Sequence, residues 1–180
     1  LLTKNAVREE IEEYLASVSG GEHAMLVLAI NRFKDMNDTF GHMFGDTVLI
    51  SIAEKISSIF FKEELIGRVG GDKFVILMKD TKVTEVMAKA ELLCSGLRKR
   101  YQGLQQEVEI SCSVGIAFFR INGTSYEELF VDANYAMYQA REEGENLYKV
   151  AEVNSQMAGL RRDIAAEEDG EYTAMRLQDD

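Results

Sequence analysis

The stretch from residue 24 to residue 46 reads AMLVLAINRFKDMNDTFGHMFGD. Its first part, Ala24 to Ile30, is a continuous apolar run that follows the turn signal Gly20-Gly21. An apolar run this short, preceded by a glycine turn, is typical of a strand that is buried on both faces. We therefore expect a central strand here, with the rest of the chain packed around it.

The remainder of this stretch, from Asn31 to Asp46, is polar and predicts two helices. The pattern indicates a short helix over residues 33–40, a break at Gly41, and a longer helix over about residues 44–60. Ligands often bind where a strand ends and a helix begins, and the N-terminus of the first helix could attract a phosphate group. The same residues also fit an ordinary pair of helices with polar capping residues, so spacing alone leaves both interpretations open.

Hydrophobic periodicity along the rest of the chain predicts a mixed sheet flanked by helices. The predicted helices cover residues 6–16, 84–100 and 125–143, and the predicted strands cover residues 65–69, 74–78, 108–119 and 147–151. This order indicates an α/β (α+β) fold with a mostly antiparallel, five-stranded sheet. Residues 1–151 are expected to form one domain. The acidic segment 152–180 is expected to be a linker or the start of a following domain.

Composition limits the classes of partner. The chain has 180 residues, with 20 Lys and Arg against 31 Asp and Glu, and a formal net charge of −11. Proteins bind nucleic acids and anionic membranes through a positively charged surface. Because this chain is acidic, we expect neither as a partner of this domain. Cys94 and Cys112 lie in apolar surroundings outside any metal-binding spacing, and we expect buried, reduced thiols in a cytoplasmic protein.

The sequence contains no sign of a membrane span. No apolar run reaches the roughly 20 residues that such a span needs, and no basic-then-apolar leader precedes the first helix. Because the sequence starts at Leu1 rather than at Met, we expect a truncated start and a longer parent protein. A membrane-anchored or sensory segment upstream of the domain remains an open alternative.

Two further segments could carry a site. The predicted hairpin turn Arg68-Val69-Gly70-Gly71-Asp72-Lys73-Phe74 has two glycines that would let a ligand approach the backbone, and Asp72 could bind a hard cation. A plain tight turn with solvated charges fits the same residues. In the helix that starts at Ser125, the aromatic and methionine side chains of residues 135–138 indicate core packing. Arg141 could reach a phosphate group or simply face water.

Taken together, four blocks resemble the GGDEF family, the diguanylate cyclase domains that condense two GTP into cyclic di-GMP. The family pattern D-x-D-x-F-K-x-I-N-D-x-x-G-H-x-x-G-D corresponds to residues 29–46, and the signature R-Y-G-G-[DE]-E-F to residues 68–74. The pattern S-x-G-[IV]-A corresponds to residues 113–117, and A-D-x-A-[LM]-Y-x-A-K-x-x-G-[RK]-N to the segment 131–146. The resemblance covers residues 1–151 and implies the sheet of nucleotide cyclases and polymerase palms.

The resemblance also implies that the metal centre is degenerate. Family members hold two Mg²⁺ ions with carboxylates, but Ala29 and Asn31 replace the two acidic residues at the end of the first strand. The signature reads GGDKF, so Asp72 keeps the first acidic position whereas Lys73 replaces the second. The backbone of Ile30 and the carboxylate of Asp72 are the remaining candidate metal ligands. No catalytic residue is assigned; Asp72 and Lys73 occupy the signature positions where catalytic residues would lie.

By the same resemblance, part of a nucleotide pocket is retained. Asn37 and Asp46 match the positions that recognise the guanine edge. The other nucleotide-binding candidates are Phe33, Lys34, Gly70, Gly71 and Arg141. On the phosphate side, Glu145 replaces a basic residue, and its carboxylate would repel a triphosphate. The family's inhibitory product site, R-x-x-D, corresponds to residues 61–64, where Phe61 replaces the arginine, so we expect this second site to be lost.

The expected function is that of a degenerate, non-catalytic GGDEF domain in a cyclic di-GMP signalling protein, with a regulatory GTP-binding role or a role in dimerisation or interdomain contacts. The expected partners are GTP, neighbouring domains of the same chain and a second copy of the domain. Mg²⁺ is expected as a cofactor only if the site is active. One alternative is an active diguanylate cyclase with an atypical Mg²⁺ site built from Asp35, Asp38 or Asp72. Another is an interaction module that binds no ligand.

Overall fold

The computed structural model describes residues 1–102 and 105–153. The elements follow one another in the order α1 (Lys4–Ser17), β1 (Ala24–Ile30), α2 (Phe33–Phe40), α3 (His42–Ile59), β2 (Leu65–Arg68), β3 (Lys73–Met78), α4 (Val83–Leu97), β4 (Lys99–Gln102), β5 (Glu107–Ile110), β6 (Cys112–Phe118), α5 (Tyr126–Glu143) and β7 (Tyr148–Val150).

Strand β1 lies at the centre of a five-stranded sheet with the order β2-β3-β1-β6-β7. It pairs antiparallel with β3 on one side and with β6 on the other, while β6 and β7 pair in parallel. All residues of β1 are buried, which explains why its sequence is apolar without the alternation of a half-exposed strand. The predicted central strand and the predicted mostly antiparallel sheet are confirmed.

Helices cover both faces of this sheet. On one face, Leu26 and Leu28 pack with residues of α3 and α4, and on the other, Met25 and Val27 pack with residues of α1 and α5. Full burial of one such side chain stabilises the fold by about 1.5–3 kcal/mol. Because strand side chains alternate between faces, Ala29 shares the face of Met25 and Val27 and lies on the α5 side.

Helix α5 lies directly on the sheet at Gly115 of β6. A Cβ atom at this position would lie 1.8 Å from the carbonyl oxygen of Ala133, so a larger residue would force the helix away. This close contact brings the C-terminal half of α5 to the end of β1, where Tyr138 contacts Lys73 of β3 and Arg141 contacts Asn31, directly after β1.

Two predictions for the region 84–119 are wrong. The predicted helix over residues 84–100 ends at Leu97, and the chain then enters β4. The predicted single strand over residues 108–119 is two strands, because β5 pairs with β4 in a separate hairpin whereas β6 joins the main sheet. Burial gives the reason: β5 has two exposed residues, Glu107 and Glu109, whereas β6 is apolar and almost wholly buried. The ends of the other elements differ from prediction by at most two residues.

Other predictions about the chain have different outcomes. Cys94 and Cys112 are buried free thiols, as predicted. Within the described ranges, no helix is long and apolar enough to cross a membrane. The single domain over residues 1–151 and the cytoplasmic location stay predictions. The predicted acidic linker lies outside the described residues, apart from Glu152 and Val153.

Candidate functional site

The predicted site residues of β1, the β2–β3 turn and α5 meet at one end of the sheet. Ala29 lies directly opposite Lys73 in the antiparallel β1–β3 register, and directly opposite Ser113 in the β1–β6 register. The backbone N–H of Ile30 donates a hydrogen bond to the carbonyl oxygen of Asp72, at 3.1 Å. The first two motifs of the sequence are therefore in direct contact.

Lys73 is a buried lysine whose ammonium group reaches α5. The residue is 6% exposed, and its Nζ donates a hydrogen bond to the hydroxyl group of Tyr138 at 3.1 Å. The same Nζ lies 5.2 Å from the centre of the Tyr138 ring. Burial of an ammonium group is costly unless polar or π-rich groups surround it, and Tyr138 provides both. The arrangement places a positive charge beside Ala29.

Asn31 links β1 to β6 and α5. Its Nδ2 donates to Ser111 Oγ at 2.9 Å, and its Oδ1 accepts from Ser113 Oγ at 2.9 Å and from Arg141 Nε at 3.3 Å. These contacts hold the partly buried Arg141 at the end of β1. One terminal nitrogen of its guanidinium group, Nη2, is buried without a hydrogen-bond partner among the described residues, 4.0 Å from Asp72 Oδ2.

Asp72 lies in the turn between β2 and β3. Arg68 closes this turn by donating a hydrogen bond from Nη2 to the Gly71 carbonyl oxygen at 2.7 Å. Burial raises the pKa of the Asp72 carboxyl group above its usual range, while the positive charges of Arg141, Lys73 and Arg68 oppose the rise. One carboxylate thus interacts with three cationic side chains, and the four side chains together carry a net positive charge.

The predicted guanine-binding residues lie at the junction of α2 and α3. The Oδ1 atom of Asn37 is buried and has no hydrogen-bond partner within the described ranges. It lies against Gly45, where a Cβ atom would approach it to 1.9 Å. Asp46 follows Gly45 and is exposed. Gly41 joins the two helices with φ of 89°, a conformation that favours glycine. The junction therefore brings Asn37 close to the helical turn that carries Asp46.

The start of α2 combines a buried core residue with exposed charged side chains. Phe33 is buried in the core and anchors the helix to the sheet, whereas Lys34 is exposed. Arg32 precedes them in a left-handed conformation, with φ of 54°, and its Nε donates a hydrogen bond to Glu145 Oε1 at 2.7 Å. The carboxylate of Glu145, which the sequence led us to expect as a repulsive charge, is therefore paired with a cation.

The described domain matches a known family over nearly all of its length. A family model described as "Diguanylate cyclase, GGDEF domain" matches residues 1–147. The chain belongs to the GGDEF domain family.

The relatives of this GGDEF domain are longer proteins. It is 38% identical over 125 residues to the bifunctional diguanylate cyclase/cyclic di-GMP phosphodiesterase MucR of Pseudomonas aeruginosa, covering 69% of this chain and 18% of MucR. It is 31% identical over 150 residues to the cyclic di-GMP phosphodiesterase PdeR of Escherichia coli, covering 83% of this chain and 23% of PdeR. The chain thus spans about a fifth of the length of these curated relatives.

The fold agrees with that of solved GGDEF domains. The crystal structure of the GGDEF domain of YfiN from Pseudomonas aeruginosa superimposes with a TM-score of 0.79 and 26% sequence identity. The match covers 86% of this chain and 98% of the solved chain. The expected α/β architecture is therefore that of the family.

The residues of this GGDEF domain do not fit a Mg²⁺ centre. Mg²⁺ requires oxygen ligands in near-octahedral geometry, but Ala29 offers none and the amide oxygen of Asn31 already accepts two hydrogen bonds. Lys73 adds a positive charge beside Asp72. Across residues 1–102 and 105–153, no group of three or more His, Cys, Asp or Glu side chains could hold a metal ion. Asp35 and Asp38, the other acidic candidates, are exposed on α2.

Sequence reasoning missed Tyr138 and the two serines of the site. Tyr138 was predicted to pack in the core, but its ring lies 5.2 Å from Lys73 Nζ and 5.7 Å from the guanidinium carbon of Arg141. Its position three residues before Arg141, on one helical face, is a signal that could have identified it. Ser111 and Ser113 are polar residues at alternate positions in an apolar segment, which is a comparable signal.

Proposed function

We propose that this GGDEF domain does not synthesise cyclic di-GMP and acts in the cytoplasm as a regulatory GTP-binding domain of a cyclic di-GMP signalling protein. The observation that carries the proposal is the register pair of Ala29 and Lys73. The family pattern has acidic residues at both positions, whereas here a methyl group faces a buried ammonium group. The loss of metal-based electrostatic stabilisation removes the largest contribution to such catalysis.

Retention of guanine binding is supported by the helix junction. Guanine presents an amino group that donates hydrogen bonds, and Asn37 Oδ1 is a buried acceptor without a partner among the residues described. The exposed carboxylate of Asp46 supplies a second acceptor on the adjacent helix. Space for the phosphates is supported by the turn at Gly70, where an added Cβ atom would meet, within 4 Å among the described residues, only the Cβ of Lys73, at an ordinary 3.6 Å.

The names of the relatives support a role in signalling rather than in synthesis alone. PdeR is named as a cyclic di-GMP phosphodiesterase, yet it aligns with 83% of this chain. Because these relatives are much longer than the chain, we propose that neighbouring domains of the same protein, or a second copy of this domain, receive the signal of GTP binding.

A product assay tests the absence of catalysis. The 180-residue chain is incubated with GTP and either Mg²⁺ or Mn²⁺, and the nucleotides are separated by chromatography. We expect no cyclic di-GMP beyond that found in a reaction without protein. Turnover to cyclic di-GMP with either metal would refute this part of the proposal and favour an active cyclase.

Calorimetric titration tests the nucleotide site. We expect GTP to bind, and Asn37→Ala to weaken binding by about tenfold, since a hydrogen bond to the base contributes roughly 1–1.5 kcal/mol. The matched control is Asn5→Ala, which removes the same amide from an exposed position on α1 and should not alter binding. An unchanged affinity in Asn37→Ala would remove the base-pocket assignment. Failure of all guanine nucleotides to bind would favour the ligand-free interaction module.

A further inference from the structure

We propose that Lys73 takes the place of a metal ion, so that this site binds the phosphate groups of its nucleotide without Mg²⁺. The inference rests on the proposed GTP binding and specifies which side chains neutralise the negative charge of the phosphates. It concerns the cluster formed by Lys73, Arg141 and Tyr138 at the end of β1.

The charge of this site differs from the charge that the family pattern gives it. The family pattern has acidic residues at positions 29, 31, 72 and 73, and a site with this composition repels a triphosphate unless a metal ion intervenes. In this chain, Ala29 and Asn31 are neutral and Lys73 is positive. The carboxylate of Asp72 remains, but three cationic side chains oppose it. The site can therefore attract an anion by itself.

Two cationic side chains converge on one tyrosine ring. Lys73 Nζ and the guanidinium carbon of Arg141 lie 5.2 and 5.7 Å from the centre of the Tyr138 ring. Tyr138 comes from α5 and Lys73 from β3, so the cluster is held by two elements of the packed fold. Its positive charges are fixed before any ligand arrives, which lowers the entropy lost on binding.

The guanidinium group of Arg141 has a buried hydrogen-bond donor that is unsatisfied within the described residues. Asn31 Oδ1 accepts a hydrogen bond from Arg141 Nε and so fixes the guanidinium group. Nη2 of Arg141 is left buried, with no hydrogen-bond partner in the described part of the chain. A buried donor without an acceptor destabilises the fold, and a phosphate oxygen is a strong, charge-assisted acceptor for a guanidinium group. The nearby Glu145 does not cancel this attraction, because its carboxylate is paired with Arg32.

The decisive measurement is the metal dependence of GTP affinity in the unaltered 180-residue chain. GTP is titrated in EDTA and in Mg²⁺ at equal ionic strength. We expect the affinity in EDTA to equal or exceed that in Mg²⁺. Mg²⁺ bound to the nucleotide neutralises part of the phosphate charge, which would otherwise attract Lys73 and Arg141. Affinity at least tenfold weaker in EDTA overturns the metal-free site while leaving the proposed GTP binding intact. The absence of GTP binding under both conditions overturns both.

A pair of lysine variants tests the residue itself. Lys73→Met keeps the length of the side chain and removes its charge, so GTP affinity in EDTA should fall about tenfold or more while guanosine affinity is unchanged. The matched control is Lys79→Met, since Lys79 Nζ also lies over a tyrosine ring, that of Tyr14, at the other end of β3. The control should leave both affinities unchanged. Equal losses of GTP and guanosine in Lys73→Met would assign Lys73 to the fold instead. If this variant does not fold, the metal comparison on the unaltered chain still decides.

Discussion

Each end of the β1–β3 strand pair carries a lysine over a tyrosine ring, but the two ends differ in how completely their polar atoms are paired. At the Ala24–Met78 end, Lys79 Nζ lies 4.6 Å from the centre of the Tyr14 ring. At the other end, Lys73 Nζ lies 5.2 Å from the Tyr138 ring. The same pair of residue types thus occurs in two different surroundings.

We call the first end closed, because both ring nitrogens of its buried histidine are hydrogen-bonded within the fold. The ring of buried His23 accepts a hydrogen bond at Nδ1 from the backbone N–H of Asp80 and donates one from Nε2 to the carbonyl oxygen of Gly20, each at 3.0 Å. These partners correspond to the neutral tautomer of His23 that carries its proton on Nε2. Both ring nitrogens are satisfied, so this cluster has a structural role.

We call the second end open, because Nη2 of Arg141 is buried there without a hydrogen-bond partner in the described residues. In the described residues, the buried side-chain atoms without hydrogen-bond partners belong to Asn37, Asn134, Arg141 and Asn146. Asn134 and Asn146 flank Arg141 along the chain, and Asn37 lies at the α2–α3 junction. Folded proteins pair nearly all of their buried polar atoms. At the Lys73 end a guanidinium nitrogen of Arg141 is buried without a partner in the described residues, whereas both ring nitrogens of His23 are paired. This difference supports the proposed ligand site at the Lys73 end and a structural role for the His23 end.

The largest expected effect is on stability at the closed end. His23→Ala leaves the Asp80 N–H and the Gly20 carbonyl group unpaired and opens a cavity, so the free energy of unfolding should fall by about 3 kcal/mol. Urea denaturation measures the change. GTP affinity should be unaffected. The exposed Asn5→Ala serves as the control and should change the free energy of unfolding by less than about 0.5 kcal/mol. A small loss in His23→Ala would contradict the closed cluster.

The next effect is on binding at the open end. Ala29→Asp places a carboxylate beside Lys73 and neutralises its charge, so GTP affinity in EDTA should fall at least about tenfold, or 1.4 kcal/mol. Titration calorimetry measures the change, and Ala88→Asp, which adds the same charge at an exposed position on α4, should leave affinity within about threefold. Equal affinities of Ala29→Asp and the unaltered chain would show that the phosphates bind elsewhere.

A smaller effect is expected for the lysine of the closed end. Lys79→Met removes a contact between a cation and an aromatic ring and should lower the free energy of unfolding by less than about 1 kcal/mol. Thermal denaturation measures the change. A loss as large as that of His23→Ala would show that the two residues form one cooperative unit.

The smallest effect is expected for Asp72, and it depends on pH. Burial raises the pKa of its carboxyl group, so the folded state binds the proton more tightly than the unfolded chain does. The resulting stabilisation is complete below the unfolded pKa and is lost as pH rises through the folded pKa. Asp72→Asn should therefore leave stability at pH 7 unchanged or slightly higher.

Urea denaturation at several pH values checks this prediction, with the exposed Asp38→Asn as the matched control. A loss of more than about 1 kcal/mol in Asp72→Asn at pH 7 would show that the attraction to Arg141 and its neighbours outweighs the burial of the charge.

Much of the fold could be predicted because the relevant patterns are local. The apolar run of β1, the paired strands around Gly70-Gly71 and the periodicity of α5 each lie within a short segment. The region 98–119 was predicted incorrectly because β5 and β6 are almost continuous in sequence and differ in their pairing partners. Which strand a segment joins depends on residues far away along the chain.

Residue identity and order were sufficient to reveal the family, and they place Ala29, Asn31 and Lys73 at positions where the resemblance implies acidic residues. They did not show that Ala29 faces Lys73, that Tyr138 accepts a hydrogen bond from Lys73, or that Asn31 fixes Arg141. The last two contacts join residues 65 and 110 positions apart. Strand register and the seating of α5 on Gly115 create these contacts, because the packing of the whole sheet sets both.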